Sequence, residues 1–228
     1  MKNKSIIFTF LFLSFQSSFA GGKLKIGLRA SPAISFAGIR DKSDDLITYS
    51  SKGVGARAIL GPMFEFFMTD NASFGTGLWY SPRSVSFQSK IKLLNKSHDY
   101  KYNLQYLMLP IYFKFYTNPI TEKMKLYFTV GTTVDIKIAE KRMDEDEVGA
   151  VAIEKPYFNV VDFSLMLGTG VEFALNESNA FFVGVGYNRG LLNIVNPLKN
   201  KGGNGIKSAY DALAIKNNVV SLDLGFKF

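Results

Sequence analysis

The single histidine of the chain, His98, stands between Ser97 and Asp99, so a hydroxyl, an imidazole and a carboxylate follow one another. Those are the residue types of acyl-transfer catalysis, in which the imidazole takes the hydroxyl proton and the carboxylate orients the ring. The spacing opposes that use. Consecutive side chains of an extended segment point to opposite sides, so the three cannot hydrogen bond to one another. His98 would need a serine or aspartate brought from elsewhere, and a solvated loop histidine is the plainer reading. The run Asp144-Glu145-Asp146-Glu147 offers carboxylate oxygens of the kind that hold a divalent cation. It lacks the glycine turn and downstream glutamate of a calcium loop and reads as a solvated charge run. Lys199, Lys201, Gly202, Gly203, Gly205 and Lys207 make a basic, flexible loop suited at most to anionic lipid headgroups. No strand-to-helix context with a Gly-Lys-Ser/Thr ending turns it into a phosphate-binding loop. Cysteine is absent, which excludes disulfides and thiolate metal sites. No catalytic, cofactor-binding or metal-binding residue is assigned, no cofactor is expected, and the chain reads as a non-enzyme.

The elements that carry these residues have a period of two. At the end of the chain Val220, Leu222, Leu224, Phe226 and Phe228 alternate with Val219, Ser221, Asp223, Gly225 and Lys227, a strand with one apolar face. An exposed final strand of this kind would be a sticky edge, and a closed barrel removes it. The same alternation predicts seven earlier strands, over 24–33, 53–68, 73–87, 100–116, 124–139, 158–174 and 180–194. Met124 to Ala139 is the cleanest of them. The connections alternate long and short, with polar stretches at 41–52, 88–99, 140–156 and 196–214 and brief turns at 69–72, 117–123 and 176–179. That asymmetry belongs to transmembrane barrels with long extracellular loops and short periplasmic turns.

Apolar residues make up 47% of the chain, with 21 Phe and 11 Tyr. No segment beyond the first twenty residues is a continuous apolar run long enough for a membrane helix, so the apolar content is distributed in alternation. The first twenty residues have Lys2 and Lys4, an apolar run from Ile6 to Phe15 and the ending Ser18-Phe19-Ala20, with no acid. That is the pattern of a secretory signal peptide, with cleavage expected after Ala20 and a barrel domain over 21–228. The net charge of +8 is spread over loops, without the basic stripe and aromatic platforms of a nucleic-acid binder.

Gly27, Gly55, Gly61, Gly75, Gly77, Gly131, Gly168, Gly170, Gly184, Gly186 and Gly225 all fall on the polar parity, where a narrow barrel needs small residues beside large ones. The same parity carries Arg29, Arg57, Lys114, Lys125, Lys137 and Lys227 against Glu65, Asp135, Asp162, Glu172 and Asp223. Buried charges must pair, so the interior is expected to be a salt-bridged plug and not an aqueous pore. Trp79 and Tyr112 share this inward parity, whereas Tyr80, Tyr106 and Tyr187 are candidates for aromatic girdles. Pro62 and Pro110 each call for a bulge or an edge-like position. The parity of the fourth strand is read as slipping between Tyr106 and Leu107, with a bulge near Tyr106. Eight strands are expected, with ten as the alternative through a hairpin in 84–94 or 193–214.

Two segments carry a family resemblance. Tyr106-Leu107-Met108-Leu109-Pro110-Ile111-Tyr112-Phe113-Lys114 resembles the Tyr-Leu-x-(Ile/Leu)-Pro-Leu-x-x-Lys strand of the PorT-like outer-membrane β-barrel family, with Met108 where that family often has an acid. Tyr187-Asn188-Arg189-Gly190-Leu191-Leu192-Asn193-Ile194 resembles its Tyr-x-x-Gly-Leu-x-Asn-Ile strand end. The resemblance implies residence in the cell outer membrane. Its members include parts of a protein-export apparatus and many barrels without an assigned activity. The implied partners are outer-membrane lipid, the barrel-insertion machinery and secretion or envelope proteins, around a barrel that is itself monomeric. A non-catalytic structural, surface or export-associated role is the first reading. A small lipid-modifying enzyme using His98 and a narrow channel are the alternatives.

Overall fold

A computed structural model of the chain describes residues 24–41, 47–92, 95–143, 158–176, 178–196 and 213–228. The expected signal peptide, the Asp144–Glu147 run and the basic stretch 199–207 lie outside the described residues. Ten antiparallel segments form one sheet: β1 (Leu24–Asp41), β2 (Ile47–Ser51), β3 (Gly55–Thr69), β4 (Ala72–Gly77), β5 (Trp79–Ile91), β6 (Lys96–Tyr116), β7 (Met124–Arg142), β8 (Val161–Ala174), β9 (Ala180–Gly190) and β10 (Leu213–Lys227). β1 pairs with both β3 and β10, which closes the sheet into a ring. Two ring positions are each made of two segments, β2 with β3 and β4 with β5, so the ring has the eight positions expected.

The split between β4 and β5 follows from the prolines. The registers on either side of Leu78 place it opposite Pro62 of β3 and next to the Gly77–Pro110 pairing with β6, with no shift across the break. Neither proline has an N–H to donate, so the middle strand loses ladder bonds from both neighbours at one level. The prolines produce an interrupted ladder, not the bulge or edge that their sequence positions suggested. Pro62 still accepts, from the Leu78 N–H at 3.2 Å and the Trp79 indole at 3.0 Å.

Exposure alternates along every ring strand. Phe113, Phe115, Phe128, Phe173, Phe181, Phe226 and Phe228 point outward and are 37–54% exposed. Such a band is tolerable only when lipid is the solvent on that side. From Phe115 to Leu107 the outward residues of β6 are all apolar. At ~3.4 Å per residue and a ~40° tilt that stretch rises about 20 Å, close to the height of a hydrocarbon-facing band.

Above that band the polarity exchanges sides. On β6 Tyr100, Tyr102, Leu104 and Tyr106 are buried in the interior while Lys101, Asn103 and Gln105 face out. On β5 Val85 and Phe87 are inside and Ser86, Gln88 and Lys90 outside; on β10 Leu213 and Ile215 are inside and Lys216 outside. The parity slip expected on this strand is therefore absent: every even residue from Tyr100 to Tyr116 is buried. The pattern changed because the outer solvent changes from lipid to water, and Tyr106 belongs to the interior instead of a girdle. A bulge does lie at this level, on the facing strand. Gln105 pairs with Ala139 and Tyr106 with Lys137, leaving Ile138 of β7 as the extra residue.

The polar stretch 88–99 is not a long loop. β5 and β6 pair as far as Ile91 and Lys96, and Asn95 takes φ 48° at the tip, a left-handed geometry that asparagine tolerates. Several strands depart from the expected spans: β1 and β7 run further, to Asp41 and Arg142, β8 begins only at Val161, β9 ends at Gly190 and β10 begins at Leu213.

Inside, glycines make room for rings. Gly75 lies under Tyr112, where a Cβ would overlap the ring and sit 2.6 Å from its hydroxyl oxygen. Gly75→Val is expected to destabilise the barrel by about 1–3 kcal/mol. The temperature at which the unboiled protein loses its folded mobility on a denaturing gel should fall. Tyr112→Ala in the same chain should recover part of the loss.

Candidate functional site: a filled lumen

The interior is ordered in layers, beginning at the end that carries the short turns. There Lys227 Nζ lies 2.5 Å from Glu65 Oε2 and 2.6 Å from Glu172 Oε2, and Lys114 Nζ 3.1 Å from Glu172. Two cations thus balance two acids. The Tyr116 hydroxyl reaches both carboxylates and Ser73 donates to Glu65. Lys114 also stands 3.8 Å from the Tyr127 ring centroid, a cation–π contact that compensates lost hydration. Met63, Tyr116, Tyr127 and Phe182 surround this layer.

A second layer pairs Arg29 with Asp223. Arg29 Nε donates to Ser31 at 2.8 Å, Ser221 donates to Asp223 at 2.6 Å, and the guanidinium stacks 4.2 Å from the Trp79 centroid. The apolar cluster of Ala33, Ile59, Trp79, Met108, Tyr112, Met166 and Val219 fills the space around it. A third layer holds Arg83, which donates to Asp135 at 2.7 Å, lies 3.7 Å from Asp162 and covers the Tyr106 ring at 4.8 Å.

The end with the long connections is closed by a hydrophobic core that includes Tyr49, Val85, Phe87, Tyr100, Tyr102, Leu104 and Ile215. Segments beyond the strands complete it. Phe158 and Val195 form an isolated bridge, and both are buried together with Ile194. Asn193 holds this cap: its side-chain oxygen accepts from the backbone N–H of Val195 at 3.1 Å and of Ile215 at 2.9 Å. Lys137 ties the cap to the wall through the Phe158 carbonyl at 2.8 Å and pairs with Glu140.

A cavity of about 30 Å³ lies inside beside Arg29, Trp79 and Tyr112, the share of one water molecule in the liquid. At the short-turn end a vestibule of about 590 Å³, rimmed by Lys25, Lys123 and Lys125, ends on Tyr116 and Glu172. Most inward charges expected from the sequence are thus in the layers. Lys125 is at the rim, bonded to the Asp70 carbonyl, and Arg57 bonds Ser84 and its neighbour's carbonyl. Arg83 was missed, although it continues the inward parity of Trp79 past Pro82. The cap residues Phe158, Ile194 and Val195 were missed as well.

His98 points inward on β6, edge-on to Tyr100 at 4.6 Å and opposite Ser89. Ser97 and Asp99 point outward, as alternation requires. Asp99 is taken up elsewhere: it accepts from Lys52 and, at 2.7 Å, from Gln88. The hydrogen bond from Lys52 holds its carboxyl below the usual carboxylate range. The three neighbours form no triad.

Removing one member of a buried ion pair leaves the other uncompensated, at a cost of about 3–5 kcal/mol. Lys227→Met is expected to lower stability by that amount in urea unfolding of the barrel refolded into vesicles. Glu65→Gln in the same chain should restore a measurable part.

Comparison with known proteins agrees with this architecture. The outer membrane protein OprG from Pseudomonas aeruginosa has a similar structure, with a TM-score of 0.57 at 15% identity over 91% of this chain and 97% of OprG. The outer membrane protease OmpT from Escherichia coli gives a TM-score of 0.53 at 8% identity over 92% of this chain and 99% of OmpT. At such identities the likeness is one of fold. Among curated proteins no significant match is found. The family model for the outer membrane protein beta-barrel domain matches residues 14–196. This chain belongs to the outer membrane protein beta-barrel domain family.

Proposed function

We propose that this protein is a non-catalytic, monomeric outer-membrane barrel with a sealed lumen, serving a structural or surface role or one attached to protein export. The observation that carries this reading is the filling of the interior from Lys227 at one end to Phe158 and Ile194 at the other. A transport path would need a continuous hydrated bore. Here ion pairs, stacked rings and an apolar cap occupy that space. A catalytic site would need a nucleophile, a base and an orienting group in mutual reach, and His98 has neither Ser97 nor Asp99 on its side of the strand.

The export-associated role is what the PorT-like segments imply. Tyr106–Lys114 lines the lumen through alternate residues, and Asn193 and Ile194 form the cap. In this family setting both segments act as scaffold. Partners from the envelope would engage the barrel at the turns and loops and not through its bore. The insertion machinery and lipid are the partners every such barrel requires, and cleavage after Ala20 would precede insertion.

Planar bilayers containing the refolded protein are expected to show no unit conductance steps; steps above background would contradict the sealed lumen. His98→Ala is expected to leave the lipid profile of the cell envelope unchanged. Crosslinking in intact cells followed by purification from the outer-membrane fraction separates the roles. Secretion or envelope proteins recovered in stoichiometric amount support the export role, whereas the barrel with lipid alone supports a free-standing surface protein.

A further inference from the structure

On six ring strands the first outward-facing charge above the apolar band is a cation: Arg40 on β1, Lys90 on β5, Lys101 on β6, Lys141 on β7, Arg189 on β9 and Lys216 on β10, all exposed. The one outward acid on the described strands at this level, Asp99, is paired with Lys52. Three of the cations stand on adjacent strands. Arg189 pairs with Asn218 across β9 and β10, Lys216 lies two residues above Asn218, Gly38 pairs with Lys216, and Arg40 lies two residues above Gly38. Successive members of this diagonal are therefore about 7–8 Å apart.

None of the three has an ion-pair partner among the described residues. Directly below them the wall carries Tyr187, whose hydroxyl donates to Asn218 at 3.3 Å, and Phe36, opposite Asn218 on β1. Below these come Val185, Val220 and Ile34 of the lipid-facing band, 45–54% exposed. Aromatic residues of this kind mark the interface between hydrocarbon and headgroups, so the cations stand at headgroup level on the side of the long loops. Three like charges on one diagonal, with no acid among the described residues to pair them, repel one another and would be relieved by an anion between them. The apolar wall below, with Val185 and Val220 exposed, suits an anion carried by an amphiphile whose chains would lie against it.

We propose that Arg40, Lys216 and Arg189 form a docking face for the phosphate groups of the outer-leaflet glycolipid. The two arginines have the planar fork that binds phosphate oxygens in pairs, and Lys216 supplies a point charge between them. This face lies on the outer wall and is independent of whether the lumen conducts.

The test uses the folded full chain in detergent micelles, titrated with fluorescent lipid A and with the same glycolipid stripped of its phosphates. Wild-type protein should bind the phosphorylated form about a hundredfold more tightly, at roughly a factor of five per cation. Arg40→Gln, Arg189→Gln and Lys216→Gln combined should abolish that preference, whereas Lys123→Gln with Lys125→Gln at the opposite end should keep it. Folding of each variant is read from its mobility on an unboiled gel. If the triple variant does not fold, the single substitutions should each reduce the preference severalfold. Equal binding of both glycolipids by the wild type, undiminished binding by the variants, or complete displacement by equimolar inorganic phosphate overturns the proposal.

Discussion

No water reaches the hydrocarbon level to satisfy a backbone amide, so a sheet that crosses it must have no edge. Here the condition is met by β1, whose two sides are taken by β3 and β10, and at one end by Ile26 and Phe228, whose amides exchange bonds at 3.1 and 2.8 Å. Closure with eight ring positions gives an interior just wide enough for side chains to fill. Everything inside then follows from volume. Large rings such as Trp79, Tyr112 and Phe182 need glycines opposite them, and the charges on the inward parity must find partners within reach.

The barrel has two solvents outside it, and its interior answers each of them. Where lipid lies outside, the wall is apolar and the lumen holds Arg29, Asp223, Lys114 and Glu172 in pairs. Where water lies outside, the wall becomes polar and Phe87, Tyr102 and Leu104 form an ordinary hydrophobic core. One strand, β6, passes through both regimes without changing its inward parity. The upper part is held by apolar burial and the lower part by paired charges, a division that places the ion pairs where desolvation is most severe.

That exchange explains what was legible in the sequence. Alternation found every ring strand, and period two with glycines on one parity was enough to put Arg29, Glu65, Lys114 and Lys227 inside. It failed at Tyr100 to Tyr106 because apolar was equated with outward, which holds only against lipid. Arg83 was within reach of the same rule, since Trp79, Ser81 and Arg83 share a parity, but Pro82 obscured the continuity. The pairing of strands could not be read: that Pro62 and Pro110 face the neighbouring residues Leu78 and Gly77 from opposite sides depends on register. Nor could the cap, because Phe158 and Ile194 lie beyond the ends of β8 and β9, and only the closed structure shows that the chain there turns over the lumen.

Lys227 adds a kinetic aspect to the closed ring. Glu65 and Glu172 belong to β3 and β8, and both lie within 2.6 Å of the Lys227 ammonium, which is carried by β10. Before β10 docks, those two carboxylates would have Lys114 as the one lysine of this layer, and the sheet would be incomplete where β10 joins β1 to β9. Docking β10 supplies the missing cation and the missing backbone partners in one event. If β10 is the last strand to dock, the ionic layer would act as a latch on the seam, slowing its reopening more than it speeds closing.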